Sequence, residues 1–203
     1  MIRLETDGDL WIVTLDRADK ANALTRDMLE RLAEIAGDAH GRAKALVLTG
    51  AGRVFSAGMD LAEADTGLAT DPVWEALSTR LAELPCLTIA ALNGTLAGGA
   101  MGMALACDMR IAVPSAKVFY PVMKLGFLPQ PSDPGRLQAL VGPARAREIL
   151  MAGQKIPAEQ ALDWGLLNRI VAPEVLLAEA KALCADALGA DHGHIGGIKA
   201  LLA

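Results

Sequence analysis

Apolar positions along the chain change their period several times. Leu10-Trp11-Ile12-Val13-Thr14-Leu15 is an apolar, β-branched run that stops at Asp16, the pattern of a buried strand. From residue 25 to residue 40 the period becomes helical. Met28, Leu29, Leu32, Ile35, Ala36 and Ala39 share one face, with Thr25 placed as the N-cap. Ala45-Leu46-Val47-Leu48-Thr49 is a short strand ended by Gly50, and Asp71-Pro72 opens a second helix. The buried stripe of that helix is expected at Val73, Trp74, Leu77, Leu81 and Leu84. Leu87–Leu92 is a strand broken by Asn93-Gly94, residues 98–107 are small enough for a tightly packed helix, and 109–113 is a further strand. In the last third, proline starts and glycine stops each helix, at Pro143 and Gly153, Pro157 and Gly165, Pro173 and Gly189. Strands alternating with helices predict an α/β layer fold, with no repeat, linker or internal boundary.

Residues 84–107 carry no formal charge, a length that could span a bilayer. Pro85, Thr88, Asn93, Gly94, Thr95, Gly98, Gly99 and Gly102 interrupt it, and Glu83 and Asp108 flank it without a basic cluster. A buried strand, a turn and a buried helix account for it better, so no membrane association is expected. Composition agrees with a folded chain: of 203 residues, 53% are hydrophobic and 21% charged. Alanine (38) and leucine (31) dominate while 7 residues are aromatic, so the core must be packed from small and aliphatic side chains. The net charge of −5 comes without a basic, aromatic-interleaved run, which argues against nucleic acid. Cys86, Cys107 and Cys184 are odd in number and far apart. A disulfide framework or zinc site is not expected, and a reducing cytoplasm fits. Glu5, Asp7 and Asp9 near the N-terminus exclude a secretory signal there.

Two stretches put glycine at strand-to-helix junctions: Phe55-Ser56-Ala57-Gly58-Met59-Asp60-Leu61 and residues 93–102, which include Gly94, Gly98, Gly99 and Gly102. Unpaired N–H groups at a helix start can hold an anion, and two such ends converging can form an oxyanion hole. Either loop alone equally suits close backbone packing. A P-loop is excluded because Ala100-Met101 follows the second glycine where Lys and Ser/Thr are required. The dinucleotide fingerprint is absent from this stretch, and Ser56 lies outside any G-x-S-x-G elbow.

With these residues the chain resembles the crotonase, or enoyl-CoA hydratase/isomerase, family. Leu15-Asp16-Arg17-Ala18-Asp19-Lys20-Ala21-Asn22-Ala23-Leu24 is similar to the family's N-R-P-x-K-x-N-A-L, and residues 55–61 resemble F-S-A-G-x-D-L. The similarity runs on through Ala91-Leu92-Asn93-Gly94, Gly98-Gly99, residues 107–112, Lys124-Leu125-Gly126-Phe127-Leu128-Pro129, Arg136-Leu137 and Ala161-Leu162-Asp163-Trp164-Gly165-Leu166-Leu167. The resemblance implies a spiral of β-β-α units with a helical C-terminal part. It implies one crotonase-like domain over 1–203, with a core over about 1–171 and a helical region over about 172–203. It places two oxyanion-hole N–H groups at Met59 and Gly99, polarising an acyl-CoA thioester. Lys20, Ala21, Ala23, Ala57, Gly58, Asp60 and Leu61 would line the CoA side. Leu96, Gly98, Gly102, Pro121, Val122 and Leu125 would line the acyl side. Coenzyme A would enter as part of the substrate, with no other cofactor and no metal, and the assembly would be a homotrimer or a multiple of trimers.

The departures from the family carry as much information. The resemblance calls for one glutamate at position 102 and a second at 122, where Gly102 and Val122 stand; neither can move a proton. Gln130 holds a position where relatives place Asp or Tyr. Asp133 is the nearest ionisable candidate, in Gln130-Pro131-Ser132-Asp133-Pro134-Gly135, which replaces a glycine-rich run. Asp also suits a solvated turn or a helix cap there, and Tyr120 suits the core with its hydroxyl satisfied. Asp60 is expected to cap the helix after Gly58. Asp191-His192-Gly193-His194 lacks a third metal ligand, and Lys124 and Arg136 suit either CoA phosphates or a solvated surface. Typical family members continue with further C-terminal helices that this chain lacks. The resulting expectation is an acyl-CoA-binding lyase or isomerase of the cytoplasm that stabilises an enolate but hydrates crotonyl-CoA poorly. The alternative is a non-catalytic acyl-CoA-binding or assembly protein on the same fold.

Overall fold

The apolar runs become strands whose two faces are both covered. A computed structural model describes residues 1–202. Its strands in chain order are β1 (Ile2–Asp7), β2 (Leu10–Leu15), β3 (Ala45–Gly50), β4 (Val54–Ser56), β5 (Leu87–Leu92), β6 (Thr95–Ala97), β7 (Met109–Ala112), β8 (Lys117–Phe119), β9 (Ile156–Pro157) and β10 (Arg169–Ile170). Its helices are α1 (Arg26–Ala39), α2 (Val73–Ala82), α3 (Met101–Ala106), α4 (Val122–Leu125), α5 (Asp133–Leu150), α6 (Ala158–Asp163), α7 (Leu176–Leu183), α8 (Ala185–Gly189) and α9 (His192–Leu201).

The strands form two sheets, ordered β1-β2-β3-β5-β7-β10 and β4-β6-β8-β9. β3, β5 and β7 are parallel neighbours in the first, and β4, β6 and β8 are parallel neighbours in the second. Each turn of the chain therefore gives one strand to each sheet and then a helix: β3-β4-α2, β5-β6-α3, β7-β8-α4. This is the spiral of β-β-α units expected from the sequence. β2 is buried at every position. A strand covered on both faces reads as a continuous apolar run, not an alternating one.

Thr25 caps α1 as expected, its side chain accepting from the Met28 N–H at 3.3 Å. The helix then buries Met28, Leu29, Leu32, Ile35, Ala36 and Ala39. Asp71 accepts from the Val73 N–H at 2.8 Å at the start of α2. Trp74, Leu77, Leu81 and Leu84 of its expected stripe are buried, and Val73 is half-buried. Residues 84–107 divide into β5, β6, a 3-10 turn at Gly98–Ala100 and α3. Among the described residues no helix is long and apolar enough to cross a membrane. The three cysteines are free and buried, and burial pushes the Cys86 and Cys107 thiols up to about 12.

Two helical segments go beyond the sequence expectation. Pro143 opens a helical segment as expected, but that segment is joined within α5 to an earlier one across a break at Gly142, which leaves the helical region at φ +79°. Proline cannot donate the next hydrogen bond, and its ring blocks the carbonyl four residues back. The helix itself begins at Asp133. The glycine-rich tail is also helical: α9 is capped by Asp191, which accepts from the Gly193 N–H at 2.8 Å. Ala203, the end of the expected domain, lies outside the described residues.

Two asparagines hold the loop between β3 and β4. Asn22, fully buried at φ +52°, donates to the carbonyls of Ala51 (2.9 Å) and Val54 (2.7 Å) and accepts from the Arg17 N–H (2.9 Å). Asn93 donates to Gly52 and accepts from the Gly50 N–H. Asn22→Ala strands the Arg17 amide and the Ala51 carbonyl. Chemical denaturation should show a loss of about 1–3 kcal/mol; a change within error would contradict this role.

Candidate active site

The two glycine loops meet backbone to backbone. Gly58 sits at φ +91°, and a Cβ there would come within 2.9 Å of the Ala97 carbonyl and 3.3 Å of the Gly98 Cα. Gly98, at φ +58°, faces it from the second loop. Ser56 fixes the approach: its hydroxyl donates to the Asn22 carbonyl and accepts from the Gly58 N–H. Leu24 donates to the Gly58 carbonyl at 2.7 Å and accepts from the Asp60 N–H at 2.9 Å. In such a parallel bridge the residue between, Met59, turns its own N–H and carbonyl away from Leu24. Gly99 is second in the 3-10 turn, so its N–H lacks a partner within its own turn. A Cβ at Gly99 would press on the Trp74 ring at 3.1 Å.

An open cleft of about 630 Å³ starts at these loops. Ala57, Met59, Gly98 and Gly99 form one end. Trp74, Tyr120, Pro121, Val122, Leu125 and Phe127 form apolar walls, and Leu61, Ala69, Leu128 and Gln130 complete the lining. Leu61 and Leu128 are 79% and 88% exposed at its mouth. Ala57, Met59, Leu61, Gly98, Gly99, Pro121, Val122 and Leu125 were all expected to line a ligand site. Trp74 was expected only in a buried helix stripe and Tyr120 only in the core, and Phe127 and Leu128 lie in a stretch that resembles the family but was not expected to line the site.

The remaining candidates lie around this cleft. Lys20 is exposed, and Ala21 and Ala23 are half-buried in the segment beside β4, where the Ala57 N–H donates to the Ala21 carbonyl. Asp60 caps the 3-10 turn Leu61–Thr66 through the Ala62 N–H and pairs with Arg17. The Ala62 amide, then Arg17, hold its carboxyl below the usual range. Leu96 is buried.

Gly102 and Asp133 belong together. Asp133 is only 1% exposed and supplies no cap; the α5 N-cap position is Ser132, whose side chain makes no capping bond. This corrects the turn-or-cap alternative. The Asp133 side chain turns inward because α5 begins against α3. A Cβ on Gly102 would lie 2.9 Å from Asp133 Oδ1. Tyr120, itself 3% exposed, donates its hydroxyl to Asp133 Oδ2 at 2.9 Å, and Oδ1 has no hydrogen-bond partner. Burial pushes the Asp133 carboxyl up to about 6, and burial with the neighbouring carboxylate raises the Tyr120 hydroxyl. Among the described residues no group of three or more His, Cys, Asp or Glu could hold a metal ion.

A family model described as enoyl-CoA hydratase/isomerase matches residues 5–202. The chain is 38% identical over 191 residues to a carnitinyl-CoA dehydratase of Salmonella arizonae, covering 90% of this chain and 72% of that protein. It is 35% identical over 182 residues to a 1,2-epoxyphenylacetyl-CoA isomerase of Escherichia coli, covering 84% and 70%. A Thermobifida fusca YX protein solved in complex with acetoacetyl-CoA superposes with a TM-score of 0.90 at 30% identity, covering 99% of this chain and 85% of that one.

A carboxyl raised from 3.8 to about 6 on folding stabilises the fold below pH 3.8, relative to neutral pH, and loses that contribution as pH rises through 6. Relative to Asp133→Asn, the parent should therefore lose about 2 kcal/mol between pH 4 and 8. Parallel denaturation curves for the two proteins across that range would contradict the burial of this charge.

Proposed function

The chain belongs to the enoyl-CoA hydratase/isomerase family, and from that membership we propose that it binds an acyl-CoA thioester and stabilises its enolate through the backbone N–H groups of Met59 and Gly99. The observation that carries this reading is the Leu24–Met59 bridge. It leaves the Met59 amide free of the sheet, beside a second free amide at a helical start, in the lining of a cleft. Two fixed donors stabilise a developing oxyanion without reorganising, each worth roughly 10²–10³ in rate. The walls formed by Trp74, Tyr120, Val122, Leu125 and Phe127 suit an apolar acyl group. Coenzyme A enters as part of the substrate. Its side of the site is Lys20, Ala21 and Ala23 with residues 57–61, a partly exposed surface that includes the Lys20 ammonium. Asp133 is the ionisable group of the acyl side.

Calorimetry with acetoacetyl-CoA, with free fatty acids as the control, tests the binding. The expected result is heat from the thioester, with the near-ultraviolet enolate band growing on binding, and none from the acids. No heat with any acyl-CoA would overturn the reading. In contrast, crotonyl-CoA hydration should run several orders of magnitude below that of a hydratase with both glutamates, because a positioned acid or base is worth roughly 10²–10⁴. Efficient hydration would show that Gly102 and Val122 do not decide the chemistry.

A homotrimer, or a multiple of it, is the assembly that accompanies this reading. Support comes from apolar surface left open: a groove of about 1320 Å³ lined by Leu87, Ile195, Ile198 and Leu202 among others, with Leu201 and Leu202 more than four-fifths exposed. Light scattering at micromolar concentration should give an oligomer; a monomer refutes it.

A further inference from the structure

We propose that Tyr120 and Asp133 form one proton-transfer pair, with Asp133 filling the space of a side chain at position 102 and Tyr120 carrying the proton between it and the cleft. The inference rests on the thioester reading and deepens it, since it names the base that the cleft wall otherwise lacks.

Three observations support it. First, the volume above Gly102 is occupied: Asp133 Oδ1 and Oδ2 lie 2.9 and 3.3 Å from where a Cβ would stand. A carboxylate thus sits over α3 although α3 has none in its sequence, delivered from the first turn of α5. Second, Tyr120 lines the cleft and Asp133 does not, so the 2.9 Å hydroxyl bond is the connection between them. The Gln130 N–H donates to the same hydroxyl at 3.4 Å. Third, Oδ1 is buried without a partner. A buried carboxylate left half-satisfied is destabilising, which sets it apart from a residue chosen for packing.

The charges around the pair leave it free to titrate. Arg136, on the next turn of α5, donates to Ser78 Oγ at 3.0 Å. Glu75, from α2, is taken up by the Ser132 amide and hydroxyl. Tyr120 completes the ring of groups facing Asp133, and no cation neutralises it at contact. Its ionised form, present above about pH 6, is the proton acceptor.

The step balances as follows. The thioester Cα–H bond breaks and its proton passes to Tyr120 Oη, while the Tyr120 proton passes to Asp133 Oδ2. The C–H electron pair becomes the enolate, whose charge rests on the thioester oxygen between the Met59 and Gly99 amides. Tyr120 ends neutral, Asp133 ends as the neutral acid, and the reverse transfer returns a proton to carbon. One negative charge has moved from a buried carboxylate to the oxyanion hole. Tyr120 is the catalytic residue of the pair and Asp133 acts through it.

The test is deuterium incorporation at Cα of butyryl-CoA in heavy water, read by mass spectrometry across the acid and neutral range. Butyryl-CoA binding is measured separately by calorimetry. The parent should exchange, with a rate that falls on acidification through about pH 6. Asp133→Asn and Tyr120→Phe should each lower exchange by about 10²–10⁴, and the double variant should be no slower than the slower single. Asp133→Asn should also remove the acid limb, which a merely structural role would leave in place. A rate flat through pH 6 overturns the pair, and that profile needs no variant to fold. Tyr120→Phe exchanging at the parent rate overturns the relay. Binding without exchange sinks the pair and leaves the thioester reading standing; absence of binding sinks both.

Discussion

No side chain fits between the backbone after β4 and the backbone after β6. Gly58 lies so close to Ala97 and Gly98 that a single Cβ would collide with a carbonyl oxygen. That approach is set by the spiral itself. Successive turns place β4 beside β6, and whatever follows these strands emerges at the same end. The loops can converge only if Gly58 is bare, while Gly98 opposite is set by a φ of +58° that side chains rarely adopt. Once they do, the amides of Met59 and Gly99 are held by main chain with the Ser56 hydroxyl fixing the Gly58 turn, and the asparagines at 22 and 93 brace the strand-to-strand loop behind them. A hole made of main chain is insensitive to side-chain identity. An oxyanion hole of the kind proposed would therefore not depend on the ionisable residues around it, which differ from the family pattern.

The electrostatics of the opposite wall follow from a different economy of groups. α5 enters against α3 and must bring an acidic side chain into an apolar layer. Nothing cationic meets it there. The tyrosine hydroxyl satisfies one oxygen and the other faces Gly102. In a medium of low polarity a carboxylate so placed is raised in energy relative to its acid. Elsewhere the buried charges are met: the Arg110 guanidinium donates to carbonyls at the C-terminal end of α3 and to Leu166. The contrast sets Asp133 apart from ordinary buried charge in this fold.

Much of this architecture was legible in the residues. The apolar runs of β2, β3 and β5 and the helical period of α1 are long enough to show their type, and Thr25 and Asp71 fix where helices start. The motif around Gly58 and that around Gly98-Gly99 pointed to the two loops. β4, β6, β8, β9 and β10 could not be read, because two or three residues hold no period. The whole second sheet was thus invisible although it positions the cleft. Within the site, Asp133 was nominated only by its place in a segment, as equally a cap or turn residue. Its contact with Gly102 spans 31 positions and is produced by packing of α5 on α3, which no local pattern records. Tyr120 read as a core aromatic and is one; its hydroxyl bond is what makes it more.

Positions 102 and 133 compete for one volume. A carboxylate restored at 102 would meet the one already delivered from α5, and an aspartate removed from 133 would leave a void over a bare glycine. Each single exchange is therefore worse than either end state. Substitution tables that score each position alone would misjudge both residues, because the two share one space.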